Sequence, residues 1–137
     1  MVRAALLALL PLLAACGAGP GARATPADWA PPAWAEESTV TLGTASPGGD
    51  ARHWFPVWLA VVDRDLYVRL GARAAKRVEE NGPVLGVRIA GKEFDRVRWE
   101  SVPDLAPRVA AVIHEKYWSD VLIRHANHPL TLRLRPE

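Results

Sequence analysis

The residues most able to do chemistry lie in the run Tyr67-Val68-Arg69-Leu70-Gly71-Ala72-Arg73-Ala74-Ala75-Lys76. Gly71 lets the backbone approach a ligand closely. A helix starting after it would offer free amide donors, and Arg73 can grip two phosphate oxygens at once. Lys76, one turn on, adds a point charge, and Arg69 could reach the same side from the preceding strand. Arg69, Gly71, Arg73 and Lys76 therefore make a candidate oxyanion site centred on Arg73. Arg77 carries the same charge but is expected to face away on a short helix. The same cations stand beside Glu79 and Glu80, so a solvated charged face remains an open alternative. Other chemistry is thin. His125 and His128 are three apart beside Pro129, with no carboxylate or Cys to complete a set, so no metal site is expected. His114-Glu115 lacks the second His of a zinc-protease helix. His53, next to Trp54, either lines a pocket or sits on the surface. Ser46 and Ser101 have no visible base, so nucleophilic catalysis is not expected.

The elements that must position these residues read as strands first and one long helix late. Ser38 to Thr44 alternates as a strand, and Ala45 to Asp50 is a loop by composition. Trp54 to Val62 is apolar on both faces and reads as one strand. Pro56 lacks an amide proton, so the strand should be an edge or bulged there. Asp63-Arg64-Asp65 turns into the alternating strand Leu66 to Leu70, which Gly71 stops. Ala72 to Asn81 is a short helix closed by Gly82-Pro83. Val84 to Ile89 is a strand, Ala90-Gly91-Lys92 a turn, and Glu93 to Val102 the return. The odd spacing of Phe94 and Val97 predicts a bulge near Asp95. Asp104 is expected to cap a helix reaching about Ala126, with Leu105, Val109, Ile113, Tyr117 and Val121 as its buried stripe. Leu130, Leu132 and Leu134 form a last strand. Six strands, two helices and no βαβ alternation predict a mainly β, α+β fold: a small antiparallel barrel.

The N-terminus carries a separate signal. Met1-Val2-Arg3 and an apolar segment from Ala4 to Leu13 have the form of an export signal. It ends Leu13-Ala14-Ala15-Cys16-Gly17, which resembles the bacterial lipoprotein box. The resemblance implies a signal peptide over residues 1–15, acylation of Cys16 and attachment through lipid. With Gly17 next, it implies the periplasmic face of the outer membrane. Residues 16–37, rich in Gly, Ala and Pro, read as a lipidated Cys and flexible tether before a domain over 38–137. Trp29 and Trp34 interrupt the tether and either dock on the domain or dip into the lipid interface.

The run Tyr67 to Val84 also resembles the pyridoxamine-phosphate-oxidase-like split barrels and their deazaflavin-dependent, nitroreductase-like relatives. Tyr67, Leu70, Gly71, Arg73, Ala75 and Glu79-Glu80-Asn81 fit that pattern, and Pro56 to Asp63 looks like the second barrel strand. The resemblance covers about Ser38 to Leu134. It implies a six-stranded antiparallel split barrel, FMN or a deazaflavin as cofactor with its phosphate at Gly71 to Lys76, redox chemistry, and a homodimer with ligand at the subunit interface. There are departures. Ala72-Arg73-Ala74 stands where the family has Ser-Arg-Lys, and Val68 where Thr is common. The Arg-plus-Lys pattern of the second strand is absent.

Composition bounds the rest. The chain has 137 residues, half of them hydrophobic, which suits one domain with a buried core. A formal charge of +2 is too small to argue for nucleic acid. The single Cys excludes an internal disulfide, and no apolar run is long enough for an ordinary membrane span. Two functions stay open: a flavin- or deazaflavin-binding oxidoreductase of the envelope, and a cofactor-free split-barrel lipoprotein with a binding or structural role.

Overall fold

The computed structural model describes residues 21–46, 51–117 and 129–137. The strands are β1 Ala22–Arg23, β2 Val40–Ala45, β3 Arg52–Val57, β4 Leu59–Val62, β5 Asp65–Leu70, β6 Val84–Ile89, β7 Lys92–Ser101 and β8 Leu130–Pro136; the helices are α1 Ala72–Asn81 and α2 Ala106–Lys116. Seven strands form one path in the order β3-β2-β6-β7-β8-β5-β4, each antiparallel to its neighbours, and β1 pairs in parallel with β7.

The expected single strand over Trp54 to Val62 is broken at Trp58, which raises the strand count from six to seven on that path. β3 pairs with β2 and β4 pairs with β5, so the halves lie at opposite ends of the path although one residue joins them. That covalent link forces the sheet to curl back on itself into a half-barrel. Pro56 lies on β3, the terminal strand, where a missing amide proton costs no ladder bond, as expected. The bulge near Asp95 is present: Leu85 faces Val97 and Val87 faces Phe94, leaving one extra residue on β7 between Phe94 and Val97. The β4–β5 turn is two residues long, with Asp63 and Arg64 both at positive φ, and Arg108 grips the Asp63 carboxylate through both guanidinium nitrogens.

Two apolar clusters hold the fold. Inside the curl, Leu42, Leu59, Leu66, Leu85, Leu132 and Leu134 are buried, and α1 closes over them with Ala75 and Val78. On the other face, Ala60, Val62 and Tyr67 pack against Val109 and Ile113 of α2. The predicted stripe of α2 is therefore buried at its centre, with Leu105 and Tyr117 packed at its ends; Val121 lies outside the described residues. Asp104 does not cap α2. It lies within the single-turn helix Pro103–Leu105, and Leu105 occupies the cap position without a side-chain bond.

α2 ends at Lys116; the rest of the helix expected to reach Ala126 lies outside the described residues. Tyr117 is extended (φ −115°, ψ 96°) because its side chain is claimed elsewhere. Its ring stacks on Trp58 with centroids 4.5 Å apart, and its hydroxyl donates to the Ser38 carbonyl at 2.7 Å and accepts from the Leu59 amide at 3.3 Å. Burial pushes the Tyr117 phenol above its ordinary value, opposed by its hydrogen bond with Leu59. A raised acid pKa in the folded state favours the protonated form. Its contribution is present below about pH 10 and is lost as pH rises through the folded pKa. Tyr117→Phe is expected to cost about 1–2 kcal/mol at neutral pH, and the gap from the parent protein should narrow above about pH 10. Urea denaturation across pH reads both; a gap that stays constant or widens contradicts the assignment.

Residues 21–37, assigned by composition to a flexible tether, are packed on the barrel. β1 extends β7, and the single-turn helices Pro26–Asp28 and Pro31–Trp34 lay Trp29 and Trp34 against Phe94. The three rings meet edge to face at 5.0–5.9 Å, and Trp34 is 4% exposed. Of the two fates open to these tryptophans, the structure takes docking. Residues 16–20 lie outside the described region, as do the export signal and Cys16.

Candidate functional site

The start of α1 is positioned by two strands. β5 delivers Gly71 to the rim of the barrel, and β3 runs beside it with His53 and Phe55 on the face that carries Val57. Gly71 is the cap residue of α1, in extended conformation with no side-chain cap, so the amides of Ala72, Arg73 and Ala74 start the helix without a side-chain acceptor. These elements enclose a cavity of about 510 Å³ walled by His53, Phe55, Gly71, Ala72, Arg73, Ala74 and Arg77. A second cavity of about 430 Å³ adjoins it, walled by Ala45, Ser46, Arg73, Lys76, Arg77, Glu80 and Asn81.

Arg73 and Arg77 belong to both walls. They are four residues apart on α1 and therefore share a helix face. This corrects the expectation that Arg77 faces away: its guanidinium lies 5.9 Å from the Phe55 ring centroid. Lys76 is on the second wall only, exposed, with Nζ 3.9 Å from the Glu80 carboxylate. Arg69 is not brought to the site. On β5 it alternates with the inward Val68 and Leu70, opposite Thr131, and it lines neither cavity. Of the four expected residues, the structure thus gathers Gly71, Arg73 and Lys76 around the cavities and leaves Arg69 apart.

Asn81 fastens this end of the barrel. Its Nδ2 donates to the Val84 carbonyl at 2.9 Å, and its Oδ1 accepts from the Ala45 amide, tying the end of α1 to β2 and β6. Thr44, whose hydroxyl is buried with no partner among the described residues, pairs in register with His53 on the cavity wall. Phe55 and Arg77 are the wall residues that sequence reasoning missed. The strand alternation His53, Phe55, Val57 and the 73/77 helix spacing held the signal, but only a known β3–α1 contact makes either legible. His125 and His128 lie outside the described residues.

The arrangement can hold an anion at the helix start, with an aromatic surface beside it. No family model matches the chain, and no curated protein is similar to it in sequence. Solved structures do share its architecture. HutZ, a heme storage protein from Vibrio cholerae, superposes with a TM-score of 0.57 at 17% identity, over 77% of this chain and 87% of that one. A conserved hypothetical protein from Mycobacterium tuberculosis superposes with a TM-score of 0.52 at 19% identity, over 74% of each chain. An FAD-binding protein from Mesorhizobium loti overlaps less closely, with a TM-score of 0.45 at 21% identity over 75% of this chain and 82% of that one. The curled antiparallel sheet, its strand order and the first two likenesses define the fold as a split barrel.

Proposed function

We propose that the chain is a lipid-anchored envelope protein, held through Cys16 at the periplasmic face of the outer membrane, whose split barrel binds FMN or a deazaflavin at the start of α1. The observation that carries the cofactor reading is one cavity that joins an uncapped helix N-terminus, two arginines and an aromatic ring. A flavin has a phosphate and a flat apolar ring, and the cavity offers a partner for each. The first-turn amides of α1 with Arg73 and Arg77 would hold the phosphate; Phe55 would face the ring. About 510 Å³ is within the range of ligand pockets. When bound, the group supplies electron or hydride transfer, and this chain supplies charge and position.

HutZ brings a second reading, heme, which His53 on the cavity wall favours as a nitrogen ligand for iron. Titration of the parent protein with FMN and with heme separates them. FMN binding indifferent to His53→Ala supports the flavin. Heme binding lost in His53→Ala supports heme. Binding of neither leaves a cofactor-free split-barrel lipoprotein with a binding or structural role.

The anchor has its own test. Cys16→Ser should move the protein from the membrane fraction to the soluble fraction, and unchanged fractionation rejects acylation. The reading also includes a homodimer and no nucleic-acid partner. β3 is a sheet edge, and Phe55 beside the cavity is half-buried, so a second copy there would cover both. Light scattering should give the mass of two chains at micromolar concentration.

A further inference from the structure

We infer that the β6–β7 turn and the groove beside it rest on the bilayer surface, so that the α1 cavity opens away from the membrane. The inference rests on the proposed anchor at Cys16 and adds an orientation to it. Only four residues separate Cys16 from Gly21, and five steps of roughly 3.3–3.6 Å reach at most about 18 Å. Gly21 is held tightly at its far end. A Cβ there would lie 2.7 Å from the Gly91 carbonyl oxygen, the Ala22 amide donates to that same carbonyl at 3.0 Å, and the Ala24 amide donates to the Glu93 carbonyl at 2.9 Å. The leash therefore delivers one particular end of the barrel to the lipid.

That end has interfacial chemistry. A groove of about 510 Å³ starts at Gly21 and runs past Thr41, Trp54, Pro56 and Arg88 to Lys92. The Trp54 ring lies flat on the sheet, so close that a Cβ on Gly43 would be 2.8 Å from it, and the Arg88 guanidinium covers it at 3.8 Å. Trp, Arg and Lys are the side chains that settle at headgroup depth. Net attraction is not the cause: Arg88 holds Glu93 at 2.9 Å, Lys92 holds Asp28 at 3.9 Å, Arg23 holds Asp95 at 3.0 Å, and Glu37 is on the groove wall. Leash length orients the barrel, and the groove supplies a compatible surface.

The cofactor cavity is on the other face of β3: Trp54 and Pro56 wall the groove, while the alternating His53 and Phe55 wall the cavity, and along β2 the run from Thr41 in the groove to Ala45 beside α1 covers about 13 Å. Ligand would therefore enter from the aqueous side.

Lipidation consumes the lone native thiol, so one introduced cysteine is the sole labelling position. Full-length lipidated Ala90→Cys, Thr39→Cys and Glu79→Cys, each carrying a fluorophore, would be placed in phosphatidylethanolamine/phosphatidylglycerol vesicles with nitroxide-headgroup lipid. All three residues are exposed; Ala90 and Thr39 are on the groove wall, and Glu79 is on α1. The expected result is flotation of all three with the vesicles and several-fold stronger quenching at 90 and 39 than at 79. Flotation with equal quenching, or with stronger quenching at 79, overturns the orientation and leaves the anchor standing. Failure to float overturns the anchor, and the orientation with it. Thr39→Cys keeps the test intact if position 90, at φ 49°, does not accept the change.

Discussion

Arg73→Ala and Arg77→Ala should each weaken FMN binding about ten- to hundredfold, while Arg69→Ala should leave it unchanged. A charge-assisted hydrogen bond to phosphate is worth about 1.5–3 kcal/mol, which sets that range. Arg73 and Arg77 share both cavity walls, and Arg69 shares neither, so the three variants remove the same charge from different places. A specific site distinguishes them; a general field does not, because all three would then weaken binding alike and salt would screen the effect. Titration by flavin fluorescence quenching reads the three affinities side by side. Arg73→Ala with the affinity of the parent protein removes the phosphate site, and loss of affinity in Arg69→Ala would place the ligand on the wrong face of β5. The direction for Arg77 reverses what its sequence position suggests. Phe55 holds its guanidinium on the cavity wall, where a cation and a π face attract.

The second large effect lies outside the site. Trp34→Ala should destabilise the barrel by about 3–5 kcal/mol, the range for truncating a buried tryptophan. Trp34 is 4% exposed and packs edge to face on Trp29 and Phe94, within the main cluster. Against a total stability of about 5–15 kcal/mol, such a loss is large. Urea denaturation of the parent and variant decides it. A change within about 0.5 kcal/mol would return residues 21–37 to the status of a tether, since surface substitutions act on that scale. A large loss would also mean that the segment between lipid and barrel is part of the folded unit. The short leash in the orientation argument requires that.

The sequence by itself determined the elements whose signals are local. α1 is legible to the residue because Gly71 precedes it and Gly82, at φ 88°, ends it where few other residues fit. The β4–β5 and β6–β7 turns and the bulge at Asp95 follow from short spacing patterns in the same way. So does the grouping of Gly71, Arg73 and Lys76 around two adjoining cavities, since three residues at a helix start cannot be far apart. What only the tertiary structure decided depends on partners distant in sequence. An apolar run from Trp54 to Val62 looks like one strand; that it bends at Trp58 to serve both ends of the sheet is set by β2 and β5, which compete for its halves. α2 ends at Lys116 because Tyr117 gains a Trp58 stack and a Ser38 carbonyl, 59 and 79 residues away. A Gly, Ala and Pro composition reads as tether because such residues bury little area on their own. Trp29 and Trp34 reverse that once Phe94 offers a face, since the apolar area of two indoles outweighs the entropy of ordering a short, proline-stiffened segment. Arg69 and Arg77 exchange roles for the same reason. The sequence points Arg69 to the site and Arg77 away from it, and the contact of Arg77 with Phe55 across β3 and α1 reverses the two.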